Sequence, residues 1–290
     1  MSQPRITRIY LEKSLRQSAE AGQHNFLGLV SEVLEARGMR VEFKTSTKPE
    51  LLKGAMRPGY SLIHMKPPVG PNGLVFRRAY HYPFWQIDRT DERWNWQVAQ
   101  TPLPEERSDE ADGFFRRWRK RLFPDIESSK GGYIYAPLQG RIREHRSFQS
   151  RSPIDMLRHI RASRPNQRII ATLHPKEQYD AADLAALGDL DVEVETGQMD
   201  RFLPHCDVVA TMNSSVAFDG FFLEKPAILY GKIDFHHIAL GPDDWDRVDN
   251  HRPDYAHFVH WFWQQQCINA GHRSAKACIA AKLDQFGWPK

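Results

Sequence analysis

RIIATLHPK at Arg168–Lys176 and VVATMNSSVAFDG at Val208–Gly220 are two short apolar runs, each ending in small polar or cationic residues. Apolar runs of this length, with branched residues on both faces, read as strands of a parallel sheet covered on both sides. The polar residues then fall at the carboxyl ends of the strands, where an open α/β sheet binds phosphate-bearing ligands.

Working outward, the surrounding chain repeats the same unit. Tyr133–Pro137 reads as a strand. Pro153–Ala162 reads as a helix, with Ser152 as N-cap and proline at its first position. Strands at Arg168–Leu173, Val192–Glu195, Asp207–Met212 and Pro226–Tyr230 alternate with helical patterns at Ala181–Leu187, Asp200–His205 and Ser214–Leu223. This is βαβαβαβαβ, a doubly wound sheet. Tyr255–Ala270 and Ser274–Phe286 are expected to finish the chain as helices.

The first third begins a similar unit. Ile6–Leu11, Met39–Phe43 and Tyr60–Met65 read as strands, and Asn25–Arg37 carries a helical stripe of Phe26, Leu29, Val30, Val33 and Leu34, with Gly38 at the C-cap position. Between Arg77 and Phe123 the rhythm breaks into an aromatic-rich stretch containing Tyr80, Tyr82, Phe84, Trp85, Trp94, Trp96 and Trp118. Core packing is the plain explanation; a stacking platform for a sugar or base is the sharper one. Phe114–Leu122 reads as a basic amphipathic helix and Pro124–Gly132 as a linker. The expected fold class is α/β and GT-B-like, two Rossmann-like halves with C-terminal helices. Residues 1–125 would form the N-terminal Rossmann-like half with its aromatic insertion, 126–250 the C-terminal Rossmann-like half, and 251–290 the closing helices.

The 290 residues are 41% hydrophobic and 26% charged, ordinary for a soluble globular chain. There is no apolar stretch long enough to span a bilayer, and no apolar leader over Met1–Thr7. Cys206, Cys267 and Cys278 lack metal-motif or disulfide-framework spacing, so reduced thiols and a cytoplasmic location are expected, with no metal or cofactor. The net charge of +4 is mild, but Arg116, Arg117, Arg119, Lys120 and Arg121 cluster, as do Arg141, Arg143, Arg146 and Arg151. Either cluster is a solvated face or attracts polyanions, anionic headgroups or a phosphorylated substrate. No nucleic-acid motif accompanies them. No GxGxxG follows the first strand, which disfavours a dinucleotide oxidoreductase, and there is neither a P-loop nor a nucleophile elbow.

Within His174-Pro175-Lys176 the imidazole can donate to a phosphate or protonate a departing one, and Lys176 adds positive charge. Asn213, Ser214 and Ser215 open a helix, suited to simple capping or to an anion. Asp219, one turn later, can hold ribose hydroxyls. His236, His237, His257 and His260 read as packing or loop histidines.

Taken together, Tyr135-Ala136-Pro137-Leu138-Gln139, Ile169–Lys176 and Val209–Gly231 resemble the capsule polysaccharide biosynthesis family of glycosyltransferases. That family includes the capsular 3-deoxy-manno-octulosonic acid (Kdo) transferases and is distantly similar to bacterial polysialyltransferases. The resemblance extends over Tyr133–Gly231. It implies a GT-B enzyme using a nucleotide-activated sugar, CMP-linked and Kdo-like, on a saccharide or glycolipid acceptor, with peripheral contact to an inner membrane or capsule export machinery. It also implies the acceptor side for residues 1–125 and the nucleotide-sugar for 126–250. It assigns His174 to the donor phosphate and its departure, Ser214 and Ser215 to phosphate binding, Asp219 to the ribose, and Gln139 to the catalytic centre. Where family members carry an acidic residue soon after that glutamine, this chain has Gly140-Arg141-Ile142-Arg143, and Glu144 is the next carboxylate. Asp88, Asp91 and Glu92 are the candidates from the other half. A non-catalytic nucleotide- or sugar-binding partner of a transferase, and a GT-B-fold UDP-sugar epimerase, are the alternatives.

Overall fold

A computed structural model describes residues 5–290; residues 1–4, part of the Met1–Thr7 segment read above as lacking a leader, lie outside the described residues. The strands are β1 (Ile6–Leu11), β2 (Arg40–Thr45), β3 (Tyr60–His64), β4 (Gly73–Arg78), β5 (Phe84–Asp88), β6 (Tyr133–Pro137), β7 (Arg168–Leu173), β8 (Glu193–Thr196), β9 (Val208–Thr211), β10 (Ala227–Leu229) and β11 (Ile268–Asn269). The helices are α1 (Lys13–Glu20), α2 (Asn25–Ala36), α3 (Lys48–Met56), α4 (Gln97–Gln100), α5 (Ala111–Leu122), α6 (Pro153–Ser163), α7 (Ala181–Gly188), α8 (Met199–Phe202), α9 (Ser215–Phe221), α10 (Tyr255–His260) and α11 (Ala275–Gln285). The chain divides into two units: one runs to Gln100 and takes in Phe262–Lys290, the other is Thr101–Trp261.

The first unit holds a six-stranded sheet in the order β11-β5-β4-β3-β1-β2. β2, β1, β3 and β4 run parallel, and β5 and β11 add an antiparallel edge. Helix α2 buries Phe26, Leu27, Val30, Val33 and Leu34, the stripe its sequence spacing predicts. Each such side chain contributes about 1.5–3 kcal/mol when fully buried. Gly38, at φ +70°, releases the chain towards β2 in a conformation that costs glycine nothing. The aromatic stretch is largely core: Trp85 stacks on Phe26 at 4.6 Å, and Phe84 stacks on Trp263 at 4.5 Å.

The helix expected to run to Ala270 ends earlier. Past His260 the chain widens into a π-helical turn at Trp261–Gln266, and Ile268-Asn269 then pairs with β5. Trp261, Phe262 and Trp263 are consecutive and all at most 1% exposed, so their rings must be buried in three directions, which one face of an α-helix cannot do.

The second unit holds a five-stranded sheet in the order β10-β9-β6-β7-β8, every pairing parallel. The doubly wound reading is therefore correct. Strand order reverses between β6 and β9, which makes their carboxyl ends the switch point of the sheet. Ile134, Ala136, Ile169, Ala171, Val208, Ala210 and Ile228 form the apolar body of these strands, covered by Ile154, Met156, Leu157 and Ile160 of α6. The contact units divide the chain elsewhere than at 125 and 250. Phe114 and Phe115 of α5 lie 5.5 Å, centroid to centroid, from His260 and Phe222 respectively, within the second unit, and residues 262–290 return to the first. Ser128, Ser129 and Gly131 of the expected linker are hydrogen-bonded to Leu223, Pro204 and His205.

Candidate functional site

The site is built at the switch point of the second sheet. The paired register of β6 and β9 stops at Tyr135↔Val209, and Pro137 lacks the N–H needed to extend it. The strand ends are tied by a side chain instead: Thr211 Oγ1 donates to the Pro137 carbonyl at 3.0 Å. On the other side, Tyr135 Oη and Thr172 Oγ1 meet at 3.0 Å, and Leu138 N–H donates to Thr172 O at 2.8 Å. Burial pushes the Tyr135 phenol up to about 12, so its hydroxyl is neutral. Gln139, His174 and Asn213 thus follow three neighbouring strands, in the spatial order β7, β6, β9. Adjacent strands lie about 4.8 Å apart, which puts the three within the span of one nucleotide-sized ligand.

His174 is exposed. Its Nδ1 accepts the Lys176 backbone N–H at 3.2 Å, and the His174 backbone N–H donates to Tyr179 Oη at 2.9 Å. With Nδ1 occupied as acceptor, the neutral ring carries its proton on Nε2 and presents a donor there. Lys176 is exposed beside it. Across the switch point, Asn213 and Ser214 are 8% and 7% exposed, and Ser214 Oγ accepts the Val216 N–H at 3.3 Å as a helix cap. Ser215 is exposed, and Asp219, 8% exposed, lies four residues on along the same face of α9.

Glu144 is 57% exposed and lies 3.5 Å from Arg141. A different carboxylate reaches the end of β6: Glu177 lies so close over Gly140 that a Cβ on Gly140 would be 2.2 Å from Glu177 Oε2. Sequence reasoning passed over Glu177, three residues after His174. Its only sequence signal is the glycine opposite, whose meaning needs the fold.

The second basic cluster separates into different roles. Arg143 is bound to Asp183 at 2.7 Å and Asp180 at 2.8 Å, bracing α7. Arg146 packs over the Phe148 ring at 4.8 Å, and its buried Nε and Nη2 have no hydrogen-bond partner. In the first cluster, Arg116, Arg117, Lys120 and Arg121 lie on the exposed face of α5, and Arg121 covers the Trp118 ring at 4.9 Å.

The remaining candidates are engaged in packing. His236 Nδ1 lies 2.9 Å from Ile233 O, His237 Nε2 2.9 Å from Thr101 O, and His257 Nε2 2.7 Å from Pro104 O. His260 is 6% exposed against Phe114. In the first unit, the buried Asp88 takes the backbone N–H groups of Arg89 and Gln97, and Glu92 takes the Asn95 amide. Asp91 is half-buried, and burial pushes its pKa up. Among the described residues no group of His, Cys, Asp and Glu is arranged to hold a metal ion, and no helix is long and apolar enough to cross a membrane.

No family model matches the chain, and no curated protein matches it. Solved structures do share its fold. The beta Kdo 2,7 transferase of Thermosulfurimonas dismutans KpsC superposes with a TM-score of 0.56 at 14% identity, covering 87% of this chain and 88% of that one. The beta Kdo 2,4 transferase of the same KpsC gives 0.50 at 13% identity, covering 87% and 89%. The GT-B-like fold expected from the sequence, two Rossmann-like halves with parallel sheets, is the fold of this chain.

Proposed function

We propose that the chain is a glycosyltransferase of the capsule polysaccharide biosynthesis type. It takes a nucleotide-activated sugar, CMP-linked and Kdo-like, at the switch point between β6 and β9. The observation that supports this reading is that His174, Gln139 and the Asn213-Ser214-Ser215 turn follow three neighbouring strands at the switch point, with His174 Nδ1 engaged by the Lys176 N–H. In this reading the Nε2–H of His174 hydrogen-bonds the departing phosphate and assists its departure, and Lys176 offsets its charge. Ser214 and Ser215 line its pocket, and Asp219 holds the ribose. Glu177, exposed like Glu144 but lying directly over Gly140, is assigned the acidic place beside Gln139. The first unit is assigned the saccharide or glycolipid acceptor. The exposed cations of α5 support peripheral contact with an anionic inner membrane or with export machinery.

The test is turnover of a CMP-sugar by His174→Ala. Loss of one hydrogen-bond donor to a developing negative charge costs about 10²–10³-fold in rate. The expected result is a fall of that size with the thermal midpoint unchanged; hydrolysis and transfer at the wild-type rate would refute the role. The exposed position of Glu144 favours a second reading, a nucleotide-binding partner without catalysis. Calorimetric binding of CMP with no turnover by the wild type selects that reading, and preference for UDP over CMP selects the epimerase.

A further inference from the structure

Arg146 of the loop between β6 and α6 has, like Arg151, no carboxylate within ion-pair distance among the described residues, whereas Arg141 pairs with Glu144 and Arg143 with Asp180 and Asp183. Its surroundings make this unusual. The Nε and Nη2 atoms are buried with no acceptor, and the guanidinium lies on the Phe148 ring. Its backbone N–H is taken by Gln149 Oε1 at 2.9 Å, which turns the Gln149 amide so that Nε2 is the free end. Gln149 is 6% exposed, and that Nε2 is likewise buried without a partner. One turn therefore holds three buried donor atoms and no acceptor for any of them. Buried polar groups are rarely left so, and a bound ion or ligand that supplies the acceptor is one physical reason for keeping them.

The turn is anchored beside the switch point. Phe148 O accepts the Lys232 N–H at 2.8 Å, and Ser150 N–H donates to Tyr230 O at 2.7 Å. A Cβ on Gly231 would touch both the Phe148 ring at 3.2 Å and the Met212 carbonyl at 3.0 Å, and Met212 immediately precedes Asn213. The charges of Arg141, Glu144 and Glu177 all reach the Arg146 guanidinium, the first opposing its cation and the two carboxylates favouring it.

We propose that Arg146 and Gln149 form an oxyanion clamp that takes the phosphate of the nucleotide donor. This rests on the reading of the switch point as the donor site. A phosphate presents several acceptor oxygens, and a planar guanidinium beside an amide N–H₂ matches it with charge-assisted bonds to donors that the neighbouring protein leaves unpartnered. Burial also lowers the Arg146 pKa, the direction expected of a cation awaiting its counter-charge.

The experiment uses the intact chain as wild type, Arg146→Met and Arg146→Lys. CMP, UDP, cytidine and uridine are titrated by calorimetry, and inorganic phosphate is followed by thermal shift. The wild type is expected to bind one nucleotide at least about 10-fold more tightly than its nucleoside. In Arg146→Met that gap closes while nucleoside affinity stays put, and Arg146→Lys recovers part of it. The ligand-free midpoint of Arg146→Met equals or exceeds that of the wild type, because a half-buried cation with two unpartnered donors has been removed. An intact nucleotide-over-nucleoside gap in Arg146→Met overturns the proposal. So does a ligand-free midpoint that drops together with every affinity, since that is a structural role. If the wild type binds neither nucleotide, yet phosphate raises its midpoint and not that of Arg146→Met, the clamp stands and the donor reading falls. If the wild type responds to neither nucleotide nor phosphate, the clamp falls as well.

Discussion

His64 closes β3 with its ring 5.0 Å from Phe76, among several cations. Burial, reinforced by Arg77, His24, Arg78 and Lys66, pushes its pKa from 6.5 down to about 4. Between those two values the unfolded chain binds a proton that the folded chain refuses. Stability from this residue is therefore complete above pH 6.5 and is lost as the pH falls towards 4. The loss is on the order of 1–3 kcal/mol, allowing for the ring's partial exposure. His64→Gln should flatten the fall of the thermal midpoint over that window, and an undiminished slope in the variant would assign the acid sensitivity elsewhere. At this scale the sequence showed what lies along the chain. His174 and Asn213-Ser214-Ser215 stand out because each ends an apolar run. Glu177 and Arg146 do not, because their significance lies in Gly140 lacking a side chain and in Gln149 turning its amide away.

Helix α6 covers β6 and β7 and begins at Ser152, whose Oγ accepts the Asp155 N–H at 3.1 Å and donates to Asp155 Oδ2 at 2.7 Å. Ser152→Ala removes both bonds at a position 4% exposed, and lost N-caps cost about 1 kcal/mol. Urea unfolding should show a loss of that size, with Ser152→Asn recovering most of it; an unchanged midpoint in the alanine variant would mean the cap contributes nothing. The elements that sequence pattern located best, β6, α6, β7 and β9, share this arrangement of an apolar segment bounded by a cap, proline or turn residue. Helices α1 and α3 escaped notice because they bury only Ala19 and Gly54 respectively, leaving no apolar stripe to detect. Strands β4, β5 and β11 were hidden for other reasons. All five residues of β5 are buried and β4 buries Leu74, Val75 and Phe76 in succession, which erases periodicity, while β11 is only two residues long and packs beside the Phe84–Trp263 ring pair.

At the scale of the molecule, the chain builds its first sheet, leaves for the whole of the second unit, and returns at Phe262 to complete the first. That return is structural. β11 pairs with β5, Trp263 stacks on Phe84 and donates its indole N–H to Ala79 O at 3.0 Å, and Ile279, Leu283, Phe286 and Trp288 enter the core around α2. Arg37 adds a pair to Asp284 at 3.0 Å and donates to Ala280 O at 3.0 Å. Buried aliphatic and aromatic side chains contribute about 1.5–3 kcal/mol each. Six or more of them are worth on the order of 10 kcal/mol, which matches the whole stability of a typical domain. A chain ending at Trp261 should therefore lose amide-exchange protection in β1–β4, while β6, β7 and β9, whose cores draw nothing from residues 262–290, keep theirs. Protection retained in both sheets would mean that the first unit is complete at Gln100. Protection lost in both would mean that the two cores fold as one cooperative body. Loss confined to the first sheet is the expected outcome, because the last 29 residues are sequence neighbours of one unit and structural members of the other.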